Sequence, residues 1–149
     1  MQQAVTARTP VHLWIVGVLS LLWNSFGAYD YLMSHMRNMD YLASMGGDPN
    51  RMLAYMDGMQ MYAKVGWGLG VWLALLGSVL LLMRSRYAVW AFSISLVGMA
   101  LSFGGQYLGP PQPPEMTAGA AKYIPLFIIL LGIGQFYYAW RQQKSGVLR

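Results

Sequence analysis

Four stretches of this chain run almost unbroken in apolar residues. Thr9 to Tyr29, Val65 to Tyr87 with the Arg84/Arg86 pair set aside, Tyr87 up to Glu115, and Tyr123 to Trp140 contain no other Asp, Glu, Lys or Arg. Each supplies the roughly 18–20 residues that a helix rising about 1.5 Å per residue needs to cross about 30 Å of hydrocarbon. None alternates lipid-facing with lumen-facing residues as a barrel strand does. The pattern predicts an all-α integral membrane protein, a four-helix bundle in a single domain spanning 1–149, with helices at about 11–45, 49–83, 87–107 and 118–141.

The first and second helices are expected to outrun the bilayer. Asp30 to Ser44 has no Gly or Pro, and the break comes only at Gly46-Gly47, where Asp48 can cap a new helix opening on Pro49. A tight turn there makes a helical hairpin outside the membrane, in which facing residue numbers sum to about 94. That register sets Asp30 against Lys64, Arg37 against Asp57 and Met33 against Met61. Gly109 to Pro114 reads as an extended connection, and Pro125 falls near the start of the fourth helix.

Small residues mark where helices approach closely. Gly66, Gly70, Ala74 and Ser78 recur every fourth position in the second helix, and Gly17, Ser20, Asn24 and Gly27 share a face of the first. These two stripes are expected to be the main helix contacts. Ser95, Gly98 and Ser102 in the third helix and Gly132 in the fourth suit the same purpose.

Charge gives the chain a direction. With four crossings, Arg8, Arg84, Arg86, Arg141, Lys144 and Arg149 share one side with no acid, whereas all five acidic residues lie on the other with four bases. The positive-inside rule makes the first side cytoplasmic, with both termini there. The net charge of +5 is then a topology signal and an attraction to anionic lipid heads, not a sign of nucleic-acid binding. Trp14, Tyr87, Trp90, Tyr138 and Trp140 fall at the inner interface, and Tyr29, Tyr31, Tyr62, Trp67, Tyr107 and Tyr123 at the outer. The apolar run Val11–Ala28 is longer than a signal-peptide core of roughly 7–15 residues and ends in no small-x-small site, so it reads as a retained helix.

No catalytic constellation is legible. Cysteine is absent, there are two histidines, and no paired carboxylates fall inside the spans. The chain reads as non-enzymatic and without a cofactor. Asn24 and Gln135 are strong polar side chains placed deep in the first and fourth helices, where amides usually join helices by hydrogen bonds; the other reading is a polar solute pocket with Trp23 as a stacking surface. Eight of the twelve methionines lie between Met33 and Met61. Thioethers suit copper(I), and Met36/Met39, with His35 nearby, or Met52/Met56/Met59 share helix faces at ligand spacing. Methionine is equally an adaptable packing residue, and a packing surface is the first reading here.

Leu22-Trp23-Asn24, Asp30-Tyr31, Arg37-Asn38 and the run Gly77-Ser78-Val79-Leu80-Leu81-Leu82-Met83-Arg84-Ser85-Arg86 resemble a family of small bacterial four-helix membrane proteins often labelled sugar transporters. The resemblance covers most of the chain and implies a bacterial inner membrane and a sugar-like solute class, without assigning any residue a role. Taken together, the expectation is an accessory or interaction subunit in the lipid bilayer that associates with a partner or as a homo-oligomer. An oligomeric sugar transporter is the alternative, and copper handling the lesser one.

Overall fold

The computed structural model describes residues 7–149, and these are helical without strands. Four long helices carry the bundle: α1 (Val11–His35), α4 (Met61–Leu82), α5 (Tyr87–Leu108) and α7 (Ile124–Lys144). All four are long and apolar enough to cross a membrane. Between α1 and α4 lie two short helices, α2 (Met39–Ser44) and α3 (Pro49–Gly58), which form a cap at one end of the bundle. A four-residue α6 (Pro114–Thr117) and a 3-10 turn (Ala121–Tyr123) lead into α7, whose second residue is Pro125.

The continuous hairpin helices expected over 11–45 and 49–83 are each interrupted. α1 stops because Arg37 takes a left-handed conformation (φ 54°). The amides of Arg37 and Asn38 turn back to the carbonyls of Ser34 and Met33, the hydrogen-bond pattern that closes a helix end when the following residue goes left-handed. Asn38 then caps α2, its side chain accepting from Tyr41 N at 2.9 Å. α4 ends the same way on Arg84 (φ 58°), whereas α2 and α7 end on glycines, Gly46 and Gly146. Asp48 caps α3 as the sequence implies, accepting from Asn50 N at 3.0 Å. The fourth long helix begins at Ile124 instead of about 118, because Gly119 (φ 58°) and the 3-10 turn intervene.

α4 and α5 pack more intimately than any other pair. A β-carbon placed on Gly66 would lie 2.6 Å from the Gly98 carbonyl oxygen, and one on Gly98 would lie 2.5 Å from Gly70 N. Only hydrogen fits at these positions, so the two backbones touch. Further along the seam, Gly105 faces Ala63, Gly77 faces the Phe92 ring, and Ser95 Oγ donates to Gly70 O at 2.6 Å. The Gly66–Gly70 half of the stripe therefore serves α5. Ala74 and Ser78 do meet α1, through Asn24, and Gly17 packs against Leu82. Gly27 meets nothing within 4 Å.

The end opposite the cap is closed by an apolar cluster of Leu13, Leu81, Ala88, Phe92, Ala139, Val147 and Leu148. The segment after α7 folds back so that Arg86 N donates to Arg149 O at 2.9 Å and Arg149 N to Arg84 O at 2.8 Å.

Candidate functional site

Two regions hold polar chemistry. The first is a knot in mid-bundle. Asn24 (6% exposed) sends its amide nitrogen toward Ser78 Oγ at 2.8 Å, Ala74 O at 3.1 Å and Gln135 Oε1 at 3.3 Å. Ser78 Oγ donates in turn to Ala74 O at 3.0 Å. An amide nitrogen has two protons, so one of the three contacts is shared. The knot joins α1, α4 and α7 and spends its donors within the chain. Trp23 is 38% exposed and meets Phe127 edge-on with ring centres 5.6 Å apart.

The second region is the cap. Arg37 grips Asp57 with two parallel hydrogen bonds of 3.0 and 2.8 Å, tying the end of α1 to α3. The hydrogen bonds from Arg37 hold the Asp57 carboxyl below the usual carboxylate range, and Arg37 is raised in return. Arg51 reaches Glu115 at 2.9 Å, tying α3 to α6, and the Glu115 side chain lies so close against Gly47 that a β-carbon there would fall 2.6 Å from its Cγ.

Asp30 and Lys64 do not pair, contrary to the uniform register read from the turn. Facing numbers sum to 94 at Arg37–Asp57 but to 99 where Gly68 meets Tyr31 and where Gly17 meets Leu82. The non-helical residues at Arg37–Asn38 and Met59–Gln60 offset the cap from the bundle and slide Asp30 away from Lys64. Asp30 Oδ1 instead accepts from Tyr41 Oη at 2.7 Å, and Lys64 Nζ donates to the Asp57 carbonyl at 3.0 Å. Burial, followed by the Asp30 contact, pushes the Tyr41 hydroxyl well above its ordinary value.

Beneath the cap are two neighbouring cavities that share Met56, Met59 and Trp67 as a wall. One, of about 170 Å³, is bordered by His35 and by the Arg37–Asp57 pair with Lys64. His35 stacks on Tyr31 with ring centres 3.9 Å apart. The other, of about 130 Å³, is lined by five methionines: Met45, Met52, Met56, Met59 and Met116. Its polar and aromatic wall is made by Asp30, Ser34, Tyr55, Trp67 and Gln106. Tyr55 is 7% exposed, and its buried hydroxyl has no hydrogen-bond partner among the described residues.

The structure thus divides the methionines singled out by spacing. Met52, Met56 and Met59 converge on one cavity, Met36 and Met39 are exposed at 69% and 42%, and His35 belongs to the adjoining space. Sequence spacing missed Met45 and Met116. Met45 follows α2 and shares no helix face with α3, and Met116 stands more than fifty residues further along, beyond the proline-rich segment.

Comparison with family models, curated proteins and solved structures finds no match for this chain.

Proposed function

We infer that this chain is a non-enzymatic accessory subunit of a bacterial inner membrane, with cytoplasmic termini and an outward cap, and that it works by associating with another membrane protein or a second copy of itself. The observation that carries this reading is the coverage of α7. Only 11% of its apolar window is buried, against 28–39% for the other three spans. A span that adds so little to its own bundle is suited to packing elsewhere. Leu130, Ile133 and Tyr137 are exposed, and Gly134 among them meets nothing within 4 Å. Another helix can approach the backbone there, and small residues are what permit such contact in lipid.

The mid-bundle knot supports the same reading over solute transport, since Asn24 directs its amide donors to acceptors of its own chain. The basic end formed by Arg84, Arg86, Arg141 and Lys144 supports a cytoplasmic placement of that end.

The chain has no cysteine, so single cysteines report cleanly. A photo-activatable cross-linker at Gly134→Cys should capture a protein in native membranes, whereas the same label at Val97, equally exposed on α5, should not. Equal labelling at both positions, with monomers alone in native-lipid particles, would reject the reading. So would saturable sugar uptake by purified protein in liposomes.

A further inference from the structure

We propose that the methionine-lined cavity under the cap is a binding site for copper(I), held by thioether sulfurs. Its five methionines come from separate pieces of chain: the residue ending α2, two turns of α3, the residue ending α3, and α6. The fold gathers them around about 130 Å³ of space in which Leu42 is the sole aliphatic side chain. Packing alone would be served by leucine, isoleucine or valine; what the five share and leucine lacks is a soft donor atom. Thioethers select copper(I) over harder ions.

The rest of the wall suits a monovalent cation. Asp30 brings a carboxyl group and Trp67 an aromatic ring to the same wall, and both kinds of group attract cations. The unpartnered Tyr55 hydroxyl directs attention to the same place, since a buried polar atom without a partner is costly in a filled core and its oxygen lone pairs favour a nearby positive charge. Harder metals have no comparable set: among the described residues no three of His, Cys, Asp and Glu gather closely enough to hold an ion.

Thioether ligation has its own signature. A thioether has no proton to lose, so binding does not weaken as pH falls through the range in which imidazole and thiolate ligands are protonated. Copper(I) affinity should therefore show no step at the ordinary histidine value of about 6.5, and any weakening toward acid would come from protonation of Asp30, the one carboxylate on the wall.

The test uses the full chain in nanodiscs under reductant, with a chromogenic copper(I) chelator as competitor and silver(I) as a redox-inert probe. One ion per chain is expected, with sulfur neighbours by X-ray absorption. Changing Met52, Met56 and Met59 to leucine keeps the bulk and should weaken binding roughly tenfold or more, since even residues that merely support metal ligands are typically worth that much. A second variant, Met45→Leu with Met116→Leu, removes two donors without touching α3 and should weaken binding in the same sense, which keeps the test decisive should the triple variant misfold. Tyr55→Phe should leave copper bound. Binding no greater than that of empty nanodiscs, binding undiminished in both folded leucine variants, or a step in affinity at the histidine value of about 6.5 would each overturn the proposal. A neutral molecule retained through purification and lost in Tyr55→Phe would overturn it in favour of a small hydrogen-bonding ligand.

Discussion

Adding one methyl group to α5 should have opposite effects at two positions six residues apart. At Gly98 a β-carbon would lie 2.5 Å from Gly70 N and 2.7 Å from Gly66 O, both backbone atoms that cannot rotate aside. At Gly104 nothing lies within 4 Å. For Gly98→Ala to reach ordinary contact, α4 and α5 must separate by about 1 Å, which forfeits up to half of each dispersion contact of about 0.1–0.2 kcal/mol. Some twenty such pairs along the seam amount to roughly 1–2 kcal/mol. The same separation stretches the 2.6 Å bond from Ser95 Oγ to Gly70 O, worth roughly 0.6 kcal/mol more as membrane hydrogen bonds go. Alanine recovers about 1 kcal/mol through its better helix propensity. Gly98→Ala should therefore destabilise by roughly 0.6–1.6 kcal/mol, whereas Gly104→Ala retains only the propensity gain and should stabilise by up to about 1 kcal/mol. Reversible unfolding in lipid bicelles, followed by steric trapping, measures both. Shifts of the same sign and similar size would refute the claim that the α4–α5 backbones are in contact.

Asn24→Leu should weaken the bundle by on the order of 1 kcal/mol by the same assay, because Ser78 Oγ, Ala74 O and Gln135 Oε1 each lose the Asn24 donor while Ser78 keeps its own bond to Ala74 O; a loss of several kcal/mol would mean the knot is coupled more widely. The Asp57 carboxyl is held below its ordinary value of 3.8 by Arg37, so its contribution is present above that value and is lost as pH falls through the lower, folded one. Pepsin nicking of the cap should rise in that window for the natural sequence and rise less for Asp57→Asn; identical acid profiles would contradict the pairing. A reporter active only in the cytoplasm should function when fused after Arg149 and fail when inserted between Pro110 and Pro114, and the reverse result would invert the proposed orientation.

The four spans are legible from sequence because an uninterrupted apolar run admits few other structures. Asn24 and Gln135 stand out for the same reason, as rare amides in apolar surroundings that must find each other or some equivalent. The end of α1 is not legible, since arginine in a left-handed cap carries no propensity signal. Arg37 is held there by Asp57, twenty residues away, and Asn38 as a helix-capping residue is the one local hint. The stripe from Gly66 to Ser78 announces close approach without naming the partner. α1 and α5 both present small residues, and α5 takes the Gly66–Gly70 half because it follows α4 through a tight turn. The cavity needed tertiary structure, as Met116 reaches α3 only when the Arg51–Glu115 pair draws α6 over the cap.

The two sides of α7 are joined to the bundle by different means, and this sets how the molecule deforms. Toward α5 it lies near the backbone, with Gly132 against Met99 and Leu96. Toward α1 it is linked through the tips of long side chains: His12 with Tyr138, Trp23 with Phe127, and Asn24 with Gln135. A joint made by side-chain tips on both helices gives way at lower cost than one in which a backbone rests directly on its neighbour's side chains, since fewer rotamers can turn there to relieve the contact. The easier distortion should then be a swing of α7 about its α5 edge, on the microsecond-to-millisecond scale of collective helix motions. Such a swing would part α1 from α7 at the Asn24–Gln135 link, while α4 and α5, whose backbones touch, stay together.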